Sequence, residues 1–182
     1  MESSTTRREF LSQAGNVAAI AAGVCSMPLH QARAAADALI RVGIIGLDTS
    51  HVSVFTKLLN RDNSQSPEIN QVRVVAAFPG GNQAFPLSKN RLAGYTTEIR
   101  ELGATIVDSI DTLLPLVDVI LLESVDGTQH LEQARPVFEA GKPLFIDKPL
   151  AASLQDALAI AALGAKHNVP WFTASSSRFT PG

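Results

Sequence analysis

The sequence predicts an α/β domain built as a doubly wound parallel sheet, and three observations predict it. From Arg41 onward, short runs of β-branched and aliphatic residues alternate with segments whose apolar positions repeat at helical spacing. Those runs are almost continuously apolar, as a strand covered on both faces must be; a strand with one wet face would alternate. Glycine, proline and small polar residues then close the runs, so each strand ends in a turn before the next helix begins. Strand and crossover helix in strict alternation mean parallel strands with helices on both faces.

The elements follow in order. Arg41 to Gly46 is the first strand, and His51 to Asn60 is a helix with Val52, Phe55, Leu58 and Leu59 at helical spacing. Val72 to Phe78 is a second strand, closed by Pro79-Gly80-Gly81. A polar stretch leads to a helix around Tyr95 to Leu102 and a short strand from Ala104 to Val107. Asp111 to Leu116 is a short helix capped by Ser109 or Asp111, followed by a fourth strand, Val117 to Leu122. The helix from Gln129 to Ala140 stops at Gly141, which can take the left-handed conformation of a C-terminal cap. Pro143 to Ile146 is the fifth strand, Ser153 opens a helix reaching about His167, and Pro170 to Ala174 is the last strand.

Composition narrows the function classes. A net charge of -2 supplies no excess of Lys and Arg for a phosphate backbone, so nucleic acid is not an expected partner. A single cysteine, Cys25, rules out a disulfide within the chain and any site built on paired cysteines. The N-terminal segment has a different character. Thr6-Arg7-Arg8-Glu9-Phe10-Leu11 precedes an alanine-rich run from Ala14 to Leu29, and Gln31-Ala32-Arg33-Ala34-Ala35-Ala36 offers small residues at signal-peptidase spacing. Residues 1–36 are therefore expected to be a twin-arginine signal, cleaved near Ala34 or Ala36 for export to the periplasm. The apolar run is too short and too rich in Ala and Gly to anchor stably in a bilayer. Residues 41–182 are left as the folded domain.

In sheets of this kind ligands bind beyond the carboxyl ends of the strands, where the strand order reverses. The candidate site residues are accordingly Gly46, Asp48, Thr49, Ser50 and His51 after the first strand, and Ser124 with neighbours Glu123 and Asp126 after the fourth. To these are added His130 at the next helix start, and Asp147, Lys148 and Pro149 after the fifth strand.

These residues carry a family resemblance. Val42-Gly43-Ile44-Ile45-Gly46-Leu47 resembles the opening strand of the Gfo/Idh/MocA oxidoreductases, and Gly127-Thr128-Gln129-His130 is similar to the family's loop and histidine after the fourth strand. Ala140 to Leu150, with Asp147-Lys148-Pro149, resembles the family's Glu-Lys-Pro signature with Asp in place of Glu. The resemblance implies a Rossmann-like domain that binds NAD or NADP and a carbohydrate substrate, a sugar or polyol. It implies that Lys148 is the catalytic residue beside the nicotinamide, that Pro149 shapes the turn, and that Gly46, Asp48, Thr49, Ser50, His51, Ser124, His130, Asp147 and Pro149 hold the cofactor, while Glu123 and Asp126 add negative charge to the same rim. It also implies that the family's C-terminal α+β substrate domain is missing, that this chain alone has no turnover, and that any homo-oligomer forms through the missing domain. Trp171, Phe172 and Phe179 are the residues expected to be left uncovered.

The phosphate-binding fingerprint departs from its pattern. Gly46 supplies the first glycine, but Asp48 and His51 stand at the second and third, so a carboxylate occupies the place where a pyrophosphate should approach. No Asp or Glu occurs between Glu68 and Glu98 to read a ribose; Asn82, or Lys89 and Arg91 toward a 2′-phosphate, are the substitutes. An alternative reading follows: a non-catalytic relative that has lost the dinucleotide and binds a sugar or metal ion on a rim of Asp48, His51, Glu123, Asp126, His130 and Asp147. None of these pairs has dedicated ligand spacing, so no metal ligand is assigned from sequence.

Overall fold

In a computed structural model that describes residues 39–61, 67–175 and 177, six parallel strands form one sheet in the order β3-β2-β1-β4-β5-β6. The strands are β1 (Ile40–Ile45), β2 (Val72–Phe78), β3 (Thr105–Ile106), β4 (Val119–Leu122), β5 (Leu144–Asp147) and β6 (Trp171–Ala174). Between them run α1 (Ser50–Asn60), α2 (Pro86–Glu101), α3 (Ile110–Leu113), α4 (His130–Glu139) and α5 (Leu154–His167). The expected signal at residues 1–36, and Ser176, Arg178 and Phe179, lie outside the described residues.

The order reverses between β1 and β4, which places the switch point at the carboxyl ends of those two strands. Right-handed crossovers put α1 and α2 on one face and α3, α4 and α5 on the other. One buried cluster therefore joins Val42, Ile44 and Val74 to Val52 of α1 and Ile99 of α2. The other joins Ile120, Leu122 and Ile146 to Val137 and Phe138 of α4 and Ile160 of α5. Each fully buried aliphatic or aromatic side chain contributes on the order of 1.5–3 kcal/mol, so these two clusters dominate the fold's stability.

Helix ends agree with their sequence signals. Ser153 accepts from Asp156 N at the start of α5, and Asn168 closes it in the left-handed region at φ 52°. Ser109, and not Asp111, caps α3, accepting from Thr112 N. Two expectations need correction. The helix expected from Tyr95 begins at Pro86, because its N-terminal half buries only Ser88 and so shows no apolar stripe. Trp171 is half-buried and not left uncovered: its ring meets Phe138 edge-on at 6.2 Å, against the core. Phe172, on the opposite face of the same strand, is 64% exposed.

Among the described residues no helix covers the α1 face of β4, β5 and β6. Leu121, Phe145 and Phe172 there, with Val54, Phe55 and Leu59 of α1, line a cavity of about 630 Å³. His51, Asp147 and Ser175 are the polar members of that lining. No helix among the described residues is long and apolar enough to cross a membrane.

Candidate functional site

The loop after β1 is built around Gly46. Its φ is 89°, and a Cβ there would lie 2.6 Å from Ser124 Cα and run into Ser124 N and Oγ. Only glycine lets the ends of β1 and β4 approach this closely. Ser124 is fully buried and donates to Gln133 Oε1 at 2.8 Å, which carries the contact on to α4.

Asp48 lies elsewhere than the fingerprint places it. Its carboxylate is fully buried, accepting from Ser88 Oγ at 2.6 Å and from Val125 N at 2.9 Å. The group is turned into the protein, tying the loop after β1 to α2 and to the loop after β4. Thr49 is the N-cap of α1, accepting from His51 N, and no acidic residue stands in that helix's first turn. Ser50 is exposed at the helix start. The end of α1 is thus suited to an anion, since helix N-termini carry partial positive charge and outward amides.

At the end of β2, Asn82 donates to Asp126 Oδ2 at 2.6 Å. Burial raises the Asp126 carboxyl, but hydrogen bonds from Asn82 and Thr128 outweigh it and hold the group below its ordinary value. A carboxylate therefore does stand at the end of β2, delivered from the loop after β4. Two residues distant in sequence supply it jointly, which is why no reading of the β2 segment alone could find it. Gln129 Nε2 donates to Gly81 O at 3.3 Å beside this pair. The donor and acceptor types present fit the pyrophosphate and ribose of a dinucleotide, whose hydroxyls can replace these side-chain bridges.

His130 is fully buried, with Nε2 2.7 Å from Ser124 O and Nδ1 3.1 Å from Leu150 O. It braces the loops after β4 and β5 and borders no cavity described above. A third set gathers at the β4 and β5 ends. His51 Nδ1 lies 2.7 Å from Asp147 Oδ2, and Lys148 Nζ lies 3.8 Å from the same oxygen. Lys148 is 44% exposed, and the Lys148-Pro149 peptide is cis.

Glu123 completes this set, where the sequence alone shows no more than a charge on the rim. Its side chain is fully buried, and neither carboxylate oxygen has a hydrogen-bond partner. Burial pushes its carboxyl well above the ordinary range, Asp147 adds to the push, and Lys148 opposes it. The available signal was its continuity with the apolar run Val119–Leu122, with no turn residue between.

The comparisons agree with this architecture. Over 99 residues the chain is 32% identical to the myo-inositol dehydrogenase Hyg17 of Streptomyces leeuwenhoekii, a match covering 54% of this chain and 29% of the relative. The fold is similar to a scyllo-inositol dehydrogenase from Lactobacillus casei, solved with NAD(H) and scyllo-inositol, at a TM-score of 0.56 and 18% identity, over 78% of this chain and 38% of that one. It is also similar to the dehydrogenase MviM of Clostridium difficile, at a TM-score of 0.53 and 22% identity, over 74% and 39% of the two chains. The chain thus spans well under half the length of these relatives. The model of the Gfo/Idh/MocA oxidoreductase family, with its NAD-binding Rossmann fold, matches residues 40–175. With that match over β1 to β6, and a switch point where that fold keeps its nucleotide, the chain belongs to the Gfo/Idh/MocA family and carries its NAD-binding domain.

Proposed function

We propose that this chain is the dinucleotide half of an exported oxidoreductase acting on a sugar or polyol, and that it turns over no substrate alone. The observation that carries the reading is the convergence at the switch point. A glycine-tight β1 end leads into an acid-free helix start, Asn82 and Asp126 stand beside it, and Lys148 lies a strand away. The names of the myo-inositol and scyllo-inositol dehydrogenases support a hydroxyl-rich ring as substrate. The Arg7-Arg8 block and the Ala34 to Ala36 stretch support export by the twin-arginine route.

The nicotinamide, when bound, supplies the hydride acceptor or donor. Asp126, held by Asn82, binds ribose hydroxyls in place of the acid that β2 lacks, and its charge opposes a 2′-phosphate. NAD(H) is therefore the preferred form. Lys148 orients a substrate hydroxyl and holds or moves its proton at Nζ. The second domain supplies the remaining substrate contacts and any surface through which copies of the protein associate.

A titration of the signal-free protein with NADH and NADPH, followed by reduced-cofactor fluorescence, tests this reading. NADH binds saturably and more tightly than NADPH, and Asp126→Ala weakens NADH by about tenfold while sparing NADPH. Absence of binding by either nucleotide to folded protein would overturn the proposal. It would favour a relative without the dinucleotide, in which the Asp48 and Asn82-Asp126 bridges keep the crevice closed.

A further inference from the structure

We propose that His51, Glu123 and Asp147 form a binding site for one divalent transition-metal cation, with its open coordination position toward the cavity on the α1 face. The three residues come from the first turn of α1, the end of β4 and the end of β5. Each offers one ligand atom, and these atoms all lie within 4.8 Å of one another. Ligands about 2.1 Å from a shared ion lie about 3–3.5 Å apart, so side-chain rotation suffices to close the set.

Glu123 is the observation that points to a ligand. It is fully buried, both of its oxygens lack a protein partner, and one of them lies within 4.8 Å of the other two ligand atoms. A buried carboxyl without a donor is an expensive arrangement, and a cation removes the expense by taking the place of the missing donors. Two carboxylates and a neutral imidazole balance a divalent charge. One nitrogen with two oxygens suits Zn²⁺ or Mn²⁺ better than Mg²⁺, which prefers oxygen ligands and keeps its waters. His51 and Asp147 line the cavity, so the ion would be reachable by a ligand's paired hydroxyls. Lys148, 3.8 Å from Asp147 Oδ2 and with a partly exposed side chain, is the competing cation for both carboxylates. The proton shared by His51 Nδ1 and Asp147 Oδ2 is what the metal would displace. Asp48, Asp126 and His130, the other members of the sequence-derived rim, take no part because their hydrogen bonds are made elsewhere.

The test is titration of the EDTA-stripped, signal-free chain with ZnCl₂ and with MnCl₂ by calorimetry, plus elemental analysis after gel filtration. About one ion per chain is expected, with a rise in the unfolding temperature on loading. Glu123→Gln and His51→Ala each weaken binding by about tenfold or more. Asp118→Asn, at the opposite end of β4, leaves it unchanged. Glu123→Gln keeps the shape of the side chain and removes only the carboxylate that would hold the ion. Should that variant fail to fold, His51→Ala, whose side chain is 27% exposed, carries the comparison. Folded parent protein that binds neither ion, or binding unaffected by the folded variants, overturns the site. No nucleotide enters the measurement, so its failure leaves the dinucleotide proposal standing.

Discussion

Asp48 and Glu123 are both carboxylates at strand ends, yet the fold treats them oppositely. Asp48 has its oxygens satisfied by Ser88 and Val125, so its burial serves to join two loops and α2. Glu123 has no such donors, and both of its oxygens are left without a hydrogen-bond partner. Asp118 gives a third case, at the surface: hydrogen bonds from the Arg41 side chain and backbone hold its carboxyl down at about 2, against an ordinary 3.8. A depressed folded value means stabilisation present above 3.8 and lost as pH falls toward about 2. Urea midpoints of the parent should therefore drop more steeply across that window than those of Asp118→Asn. Parallel curves for the two proteins would remove the assignment.

At the scale of the element, helix propensity and packing pull in opposite directions in α5. Gly164 lies inside that helix, where alanine is normally favoured by about 1 kcal/mol. A Cβ at this position would lie 2.5 Å from Trp171 Cδ1 and also press on Nε1, where α5 crosses β6. The ring is itself held against Phe138. Gly164→Ala is therefore expected to destabilise by about 1–3 kcal/mol despite the gain in propensity. It should also shift the fluorescence of Trp171, the sole tryptophan. An unchanged or raised unfolding midpoint would mean that the ring yields. Helix α2 shows the same competition from the other side. It has few buried residues and is pinned by Glu98, which takes hydrogen bonds from Lys57 and Ser53 of α1.

For the whole molecule, the winding of the chain decides which surfaces remain open. Right-handed crossovers leave the α1 face of β4 to β6 without a helix of its own among the described residues. Phe145 and Phe172, 5.0 Å apart, are the apolar centre of that face. An apolar face of this kind marks a surface meant to be covered. Phe172→Ser should lower the binding of a hydrophobic fluorescent dye clearly, while changing stability by about 1 kcal/mol or less because the ring is largely exposed. Dye binding equal to the parent's would show that the face is not the apolar surface that dyes detect.

Much of this was legible from local pattern. Strand and helix alternation, the caps at Ser153 and Gly141, and the apolar runs of β1, β2 and β4 each follow from periods and residue types within a few positions. So does the family resemblance around Asp147-Lys148-Pro149, because that motif is contiguous. What the tertiary structure alone decided are the contacts between strand ends, where residues far apart in sequence meet. Asn82 found Asp126, Asp48 found Ser88 and Val125, and His51 found Asp147 beside Glu123. The physical reason is that a parallel sheet delivers every strand's carboxyl end to one edge. Which side chain is buried, paired or left without a donor there depends on register and on the turn each loop takes. Sequence period reports the face a residue lies on, and carries no information on its partner across that edge.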